Sequence, residues 1–266
     1  MSGAHSYGKG VGGFDRTFGA PMRQFIPTLV PLARLSPGQR VLDVATGTGF
    51  AAEAALDAVG PSGHVTAVDD TPAMLGRARE RLGGRPSVSF AIGLAGPLAL
   101  PEAGFDAVLC SMALMIFPDR AGALSEFRRV LRDGGCVAVS INTRPERSLT
   151  GRVRVAVARH VPSMRPALAH HYSLSDAGAL RALIEAASFR DVEVFMETRC
   201  FSFPSFDAYF EPFEQGGGPW GAEYAALPAE ARHAVREEVR RGLERETASD
   251  GTVRIGVDIL FGGGMK

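Results

Sequence analysis

The sequence lacks net charge and long apolar runs, and each absence excludes a class of partner. Its 29 basic and 29 acidic residues cancel, so the chain lacks the long-range field that nucleic-acid and anionic-membrane binding usually exploit. No stretch approaches the ~20 consecutive apolar residues that a membrane-spanning helix needs. The first residues also lack the apolar core of a signal peptide, which predicts a cytoplasmic protein. We therefore expect small-molecule partners, no nucleic acid and no membrane.

Patterns for metal binding and for covalent hydrolysis are also missing. His170 and His171 form the only close histidine pair, and adjacent side chains point in different directions. Since no cysteine or acid stands at ligand spacing, we predict no metal site. A Gly-x-Ser-x-Gly nucleophile elbow is absent. The three cysteines, Cys110, Cys136 and Cys200, each fall in a predicted strand, so we expect reduced and packed thiols.

The most informative stretch is residues 40–50, where an apolar strand ends near Val44 and runs through a small-residue turn into an alanine-rich segment. A helix that begins directly after a strand presents unpaired N–H groups and the positive end of its dipole to a ligand. Gly47 and Gly49 supply the positive φ or the close backbone approach that such a turn needs. Asp43 would repel a phosphate at short range, so we expect it to pair with a cation.

This order, Asp43-x-Ala45-x-Gly47-x-Gly49, differs from the dinucleotide fingerprint G-x-G-x-x-G, which has no acid before it. It resembles motif I of the class I S-adenosylmethionine-dependent methyltransferases, in particular the ubiquinone/menaquinone-biosynthesis-like (type 11) small-molecule group. The resemblance implies that the loop, with Thr46, carries the methionine end of S-adenosylmethionine and that Asp43 reaches its ammonium group, directly or through water. The alternative is an ordinary βα turn in an unrelated α/β protein.

The rest of the chain alternates short apolar strands with helices. This pattern predicts an α/β fold with a parallel sheet covered on both faces. The resemblance implies a seven-stranded Rossmann-like methyltransferase sheet, mostly parallel, with an antiparallel last strand. Thr71, Asp119 and Ser175 are the expected N-caps, and Asp133-Gly134-Gly135 is expected to end a helix. The strands are predicted at 40–44, 64–68, 88–91, 105–111, 136–142, 192–203 and 253–261, and the helices at 50–59, 72–82, 119–132 and 176–187.

Three parts of the chain fall outside this alternation, within one methyltransferase domain over residues 1–266. Residues 1–35 are expected to form an N-terminal arm and helix over the site. Residues 144–174 and 204–250 are expected to form two helical lid insertions, because connections this long usually cover or line a binding site. The second insertion contains an amphipathic helix from about 228 to 246, since apolar residues recur there every four positions.

The segment after the second predicted strand adds cofactor residues. Asp69 stands where an acid can accept the hydroxyls of a ribose, and Met74 follows in the next helix. Many relatives have Gly-Asp-Ala after the third strand, where the carboxylate takes the adenine amine; this chain has Gly93-Leu94-Ala95 instead. Asp70 occupies a position where relatives commonly have an apolar residue.

The acid that relatives have at position 94 is missing here, and an acid is gained at position 70. We therefore expect the adenine ring to be recognised from the side of Asp70. Asp70 would accept from the adenine amine while Leu94 packs on the ring and the Ala95 N–H meets a ring nitrogen. A solvated loop acid is the alternative for Asp70. Ser111, which follows the fourth strand, takes the position that relatives place beside the methionine carbon chain.

The acceptor is less well defined by the sequence. An apolar loop at 112–117 favours a partly hydrophobic acceptor, and the missing Asn/Asp-Pro-Pro-Tyr/Phe signature argues against a nucleic-acid base. His171 is the candidate general base for an acceptor that loses a proton. The first insertion is rich in arginine. Its positive charge is expected either to steer an acidic acceptor into the site or to pair with acids of the second insertion. These arginines are Arg144, Arg147, Arg152, Arg154, Arg159 and Arg165.

Together these features predict a methyl transfer from S-adenosylmethionine to a small, partly hydrophobic metabolite, such as a natural-product intermediate. The alternative is a methyltransferase-fold protein that catalyses a non-methylating cyclisation or rearrangement. A homodimer is the candidate assembly, although the sequence does not determine the oligomeric state.

Overall fold

The computed structural model describes residues 11–93, 98–217 and 220–266. Within these residues, seven strands form one sheet, mostly parallel with one antiparallel pair, as the sequence predicted. The strands are β1 (Arg40–Val44), β2 (His64–Asp69), β3 (Val88–Ile92), β4 (Phe105–Ser111), β5 (Leu131–Asn142), β6 (Arg190–Phe203) and β7 (Val253–Met265). They lie in the order β3-β2-β1-β4-β5-β7-β6.

β1 lies at the point where the strand order reverses direction. It pairs in parallel with β2 on one side and with β4 on the other, so that Leu42 lies opposite both Thr66 and Val108. In an open α/β sheet, ligands bind outside the carboxyl ends of the strands at this switch point. Val41 and Leu42 point to opposite faces of the strand and are both fully buried, as expected for a parallel strand with both faces covered.

Helices fill the connections between these strands. The predicted helices over 50–59 and 72–82 have those bounds in the structure. Asp119 caps the following helix, as predicted, by accepting from the Gly122 N–H at 2.8 Å. The α-helices of the described residues are α1 (Val11–Phe14), α2 (Ala20–Met22), α3 (Ile26–Leu32), α4 (Phe50–Val59), α5 (Pro72–Leu82), α6 (Arg120–Val130), α7 (Gly151–His160), α8 (Arg165–Tyr172), α9 (Ala177–Ala186), α10 (Phe206–Glu214), α11 (Gly221–Ala225) and α12 (Ala229–Gly242).

Two of the predicted helix caps differ in the structure. Asp176, not Ser175, is the N-cap of α9, and its carboxylate accepts from the Ala179 N–H at 3.0 Å. Thr71 stands at the N-cap position of α5 but makes no capping bond, because its hydroxyl donates to Asp70. A carboxylate is a cap at least as good as a hydroxyl, which explains the first difference.

The Asp133-Gly134-Gly135 segment does not end a helix as predicted. It lies inside β5, where the pairing with β4 steps from Phe105–Leu131 directly to Ala107–Cys136. Residues 132–135 therefore bulge out of the ladder, and Gly134 adopts a φ of +77° there. Glycine signals a backbone bend, and sequence alone did not distinguish a helix end from a bulge.

By their contacts, the described residues divide into two compact units. We call Arg23–Ile141, Leu174–Glu197 and Ile259–Lys266 the sheet unit. We call the described residues up to Met22, together with Asn142–Ser173 and Thr198–Asp258, the insertion unit. The sheet unit packs the apolar faces of its strands against helices such as α6, whose Leu124 and Phe127 are fully buried.

The insertion unit has its own apolar core. The amphipathic helix predicted there is α12, and Val235, Val239 and Leu243 on its apolar stripe are at most 2% exposed. Tyr209 of α10 donates through its hydroxyl to the Leu149 carbonyl at 2.9 Å. The rings of α10 stack or meet edge-on among themselves. Buried aromatic rings of this kind contribute large apolar areas to the core of this unit.

The cysteines meet the prediction only in part. All three are free thiols in strands, and Cys110 and Cys136 are buried, whereas Cys200 is exposed. Cys200 lies on β6, at the edge of the sheet, where only one face of the strand is covered. Within 11–93, 98–217 and 220–266, no helix is long and apolar enough to span a bilayer.

We predict that Asp258→Asn destabilises the protein. The Arg147 guanidinium donates to both Asp258 oxygens, at 2.7 and 2.8 Å, and lowers the pKa of that carboxyl, while Thr198 donates to it at 2.7 Å. Breaking this largely buried pair should cost about 2 kcal/mol in the free energy of unfolding. The stabilisation is present above the ordinary pKa of 3.8 and is lost below it.

Urea unfolding at neutral pH measures this effect. Asp133→Asn is the control because that side chain is fully exposed. Equal stability of Asp258→Asn and the control would contradict the prediction.

Candidate active site

Asp43 is a carboxylate without solvent contact at the carboxyl end of β1. The residue is 0% exposed, and its Oδ2 accepts from the Thr46 hydroxyl at 2.6 Å. Its Oδ1 is buried and has no hydrogen-bond partner in the described residues. A buried unpaired oxygen is costly to the fold, so it marks a position that a donor or a cation would stabilise.

The same burial changes the proton affinity of Asp43. The pKa of Asp43 is raised to about 7, mainly by burial; the negative charge of Asp69 also raises it, whereas the Thr46 hydroxyl and the Ala52 N–H lower it. Near neutral pH this carboxyl is therefore only partly ionised. A cation placed next to Oδ1 would favour the charged form and lower the pKa.

The turn that follows β1 uses three residues with positive φ. Ala45, Gly47 and Gly49 have φ values of +55°, +57° and +89°. At Gly49, the N-cap of α4, a Cβ atom would also lie only 3.1 Å from the Leu82 side chain and 3.2 Å from that of Ala78, so glycine is required twice over. At Gly47 a Cβ atom would meet nothing within 4 Å, so this side of the turn is open. The positive φ of Ala45 was not foreseen, since only glycine signals it in a sequence.

Asp69 connects this turn to the end of β2 through hydrogen bonds. Its two carboxylate oxygens accept from the Gly47 N–H at 2.8 Å and from the Thr71 N–H at 2.9 Å. Burial raises the pKa of Asp69, and these two N–H donors oppose the shift. Each carboxylate oxygen has a second lone pair, so Asp69 can still accept hydroxyl groups.

Backbone bonds complete a connected network among the predicted cofactor residues. The Thr46 N–H donates to the Val68 carbonyl at 3.0 Å, and the Gly93 N–H donates to the Asp69 carbonyl at 3.1 Å. The structure thus brings together Asp43, Thr46, Gly47, Asp69 and Gly93. Several N–H groups of the turn donate to oxygens of the protein. The carboxylates are therefore the main polar groups that a ligand can use.

The remaining predicted cofactor residues have separate surroundings. Asp70 is exposed and accepts from the Thr71 hydroxyl at 2.9 Å. Met74 is buried in the first turn of α5. Ser111 ends β4 opposite Ser140 of β5, with their hydroxyl oxygens 3.5 Å apart. Leu94 and Ala95 lie outside the described residues.

His171, the predicted base, belongs to the insertion unit and lies in a polar cluster. The residue is 4% exposed, and its Nε2 is 3.2 Å from the Asn142 side-chain nitrogen. Nη1 of Arg154 approaches both ring nitrogens at 3.2 Å. The Arg154 N–H donates to the Thr150 carbonyl at 3.0 Å, and the Tyr172 ring meets the His171 ring edge-on with centroids 4.6 Å apart. We call Asn142, Thr150, Arg154, His171 and Tyr172 the Arg154 cluster.

The arginines of the first insertion separate into two groups. Arg147 pairs with Asp258, Arg152 with Glu246, and Arg159 with Glu238 at 2.7 Å. The last two acids lie in the second insertion, so the pairing alternative holds for these arginines. Arg154 differs, because it is 4% exposed and none of these acids pairs with it.

Sequence reasoning listed Arg154 but missed Asn142 and Thr150. A signal for Arg154 exists: it lies one turn after Thr150 and one turn before Ala158, on the buried face of α7. Asn142 gives no such signal, because it reads as the polar end of a strand. No group of three or more His, Cys, Asp or Glu side chains in the described part of the chain is arranged to hold a metal.

We predict that Asp43→Asn changes how stability depends on pH. Because the pKa of Asp43 is about 7 in the fold against an ordinary value of 3.8, ionisation disfavours the folded state as the pH rises through this window. The difference corresponds to roughly 4 kcal/mol as an upper bound. In urea unfolding without ligand, Asp43→Asn should gain stability relative to the wild type as the pH rises from about 4 to about 7, and keep that gain at higher pH. Parallel profiles of the two proteins would contradict this, and Asp133→Asn should follow the wild type.

Comparison with known proteins gives a consistent result. Residues 41–135 match a family model described as a methyltransferase domain. The chain is 32% identical over 174 residues to the arsenite methyltransferase of Halobacterium salinarum, covering 61% of this chain and 40% of that protein. It is 45% identical over 98 residues to the ubiquinone/menaquinone biosynthesis C-methyltransferase of Methylobacterium nodulans, covering 36% and 39%. The chain thus spans about two fifths of the length of these two relatives.

A longer but weaker similarity reaches beyond the matched domain. The chain is 28% identical over 228 residues to the malonyl-[acyl-carrier protein] O-methyltransferase of Geobacter sulfurreducens, covering 85% of this chain and 84% of that protein. The YcgJ protein of Bacillus subtilis has the same fold, with a TM-score of 0.61, 20% identity and coverage of 91% and 98%. Residues 41–135 thus match a methyltransferase domain, and the fold and these relatives support a class I S-adenosylmethionine-dependent methyltransferase of small-molecule type.

Proposed function

We propose that this protein transfers a methyl group from S-adenosylmethionine to a small, partly hydrophobic metabolite. The observation that carries the proposal is Asp43, a buried carboxylate with one unpartnered oxygen beside a glycine turn. An ammonium group satisfies this oxygen in both charge and hydrogen bonding, whereas a phosphate would be repelled. The named relatives methylate acceptors such as arsenite and malonyl-[acyl-carrier protein], which supports a small acceptor.

The residues of the sheet unit fit this cofactor in defined roles. Asp43 receives the ammonium of the methionine end, directly or through water. Asp69 accepts the ribose hydroxyls with the lone pairs that the Gly47 and Thr71 N–H groups leave. The open side of the turn at Gly47 admits the ligand backbone. Asp70, on the exposed side of this loop, accepts from the adenine amine.

Methyl transfer requires mainly that the protein position the acceptor next to the methyl group. When bound, S-adenosylmethionine supplies a methyl group on a sulfonium, which an acceptor nucleophile takes as the S–CH3 electron pair returns to sulfur and a proton leaves the acceptor. The protein must hold the acceptor about 3–3.5 Å from the methyl carbon and keep water out. We assign acceptor binding to the insertion unit and keep His171 as the candidate base. The relatives give no support to a non-methylating cyclisation.

We predict that S-adenosylmethionine binds more tightly at about pH 7.5 than at about pH 6, because Asp43 must lose its proton to face the ammonium. Asp43→Asn should weaken binding at least about tenfold and flatten this pH dependence, since a charged hydrogen-bond partner is lost. Isothermal titration calorimetry measures both effects, with Asp133→Asn as the exposed control.

The catalytic part of the proposal is tested with labelled S-adenosylmethionine and a panel of acceptors. Formation of S-adenosylhomocysteine together with a methylated acceptor is the expected result. A clear calorimetric signal for a dinucleotide, with none for S-adenosylmethionine or S-adenosylhomocysteine, would overturn the proposal.

We also predict a specific effect of Asp70→Ala. If Asp70 accepts from the adenine amine, its loss should weaken S-adenosylhomocysteine binding by about tenfold to a hundredfold, the effect expected for one hydrogen bond to a charged group. Asp57→Ala is a matched control, because Asp57 pairs with exposed Arg85 on the surface. Affinity within twofold of the wild type would show that Asp70 is a solvated loop acid.

A further inference from the structure

α7 carries one buried arginine that lacks the ion pair its neighbours have. Arg152 and Arg159, on the same helix, each pair with a glutamate, whereas no acid among the described residues pairs with Arg154. Residues 1–10, 94–97 and 218–219 contain neither Asp nor Glu, so they offer no acidic side chain either. A guanidinium that is 4% exposed without a counter-charge is costly to bury.

The groups around Arg154 are neutral and do not replace the missing charge. A guanidinium only donates, so the imidazole of His171 must accept from Nη1 through a ring nitrogen. The indole of Trp220 also lies near it, with its ring centroid 5.9 Å from the guanidinium carbon. Hydrogen bonds and a cation–π contact lower the cost of burial but leave one full positive charge.

Several buried polar atoms of the Arg154 cluster have no partner in the described residues. Nε of Arg154, Oδ1 of Asn142, Oγ1 of Thr150 and Oη of Tyr172 are all in this state. Native proteins leave few such atoms, and a group of them in one cluster indicates a polar ligand or ordered water. Because Nη1 faces His171, the Nε edge of the guanidinium is the part left for a ligand.

Backbone strain next to the cluster points the same way. Trp220 is 5% exposed and adopts a φ of +72°, a conformation that a bulky side chain rarely takes. The insertion unit holds the indole beside Arg154 at this cost. Strained residues of this kind concentrate at ligand-binding positions.

We propose that the Arg154 cluster binds a carboxylate group of the methyl acceptor. A planar carboxylate matches the guanidinium fork and can also accept from the Tyr172 and Thr150 hydroxyls. One negative charge balances the single positive charge of the cluster, whereas a dianionic phosphate leaves an excess negative charge in a buried site. The carboxylate anchors the acceptor, and the proposal rests on the methyltransferase function proposed above.

Trp220 is the only tryptophan of the chain and reports directly on this site. We would follow its fluorescence while titrating hexanoate, hexanamide or hexyl phosphate in the presence of S-adenosylhomocysteine. Hexanoate should give a saturable change, and both other probes should bind at least about tenfold more weakly, because each lacks the matching single charge. Arg154→Met should lose the hexanoate response, whereas Arg159→Met, on the same helix but ion-paired at the surface, should keep it.

Thermal unfolding separates a ligand site from a structural arginine. Without probe, Arg154→Met should melt at or above the temperature of the wild type, because an uncompensated buried charge is removed. Hexanoate should raise the melting temperature of the wild type and of Arg159→Met but not that of Arg154→Met. If Arg154→Met fails to fold, Arg154→Lys takes its place: it keeps the charge without the fork and should bind hexanoate at least about fivefold more weakly.

These experiments distinguish failure of the carboxylate site from failure of the proposed methyltransferase function. Equal binding of hexanoate and hexanamide, an unchanged response in Arg154→Met, or no saturable response, which would mean ordered water only, overturns the carboxylate site. S-adenosylmethionine binding, measured separately by calorimetry, is independent of this result. Hexanoate binding without any cofactor binding would instead overturn the methyltransferase proposal.

Discussion

The burial of the Asp43 carboxylate at the centre of the sheet is the constraint on which the cofactor region depends. A charge in that position is tolerated only with partners, and the protein supplies the Thr46 hydroxyl and the N–H group of Ala52. Asp69, the second acid, is held by two N–H groups and thereby fixes the turn against β2. The two carboxylates disfavour each other's charge, so the region is electrostatically prepared for a cation.

Much of this region was predictable because local sequence determines it. The bounds of β1, α4 and α5 followed from apolar runs, glycine and proline, and the glycines at 47 and 49 have the positive φ expected of them. The misplaced cap at Ser175 and the bulge at 133–135 show the limit. Their outcome depends on which strand or backbone group lies nearby, and a sequence pattern does not contain that information.

The Arg154 cluster illustrates a different limit. Six arginines in one insertion look equivalent in a sequence, and their difference lies in which of them find an acid. Arg147, Arg152 and Arg159 do so through residues that follow them by between 79 and 111 positions in the chain. Such pairings are decided by packing within the insertion unit, so the unpaired guanidinium could be recognised only once its neighbours were placed.

The division of the chain into two units also has a consequence for synthesis. The insertion unit is assembled from segments that are separated in the sequence by parts of the sheet unit, and Arg147 meets Asp258 only after the 110 residues between them have been synthesised. Closing such long loops is slow compared with forming neighbouring strands and helices. During translation, the parallel strands around β1 can therefore pair well before the residues around Arg154 acquire their neighbours, which makes the insertion unit the late-folding part of the nascent protein.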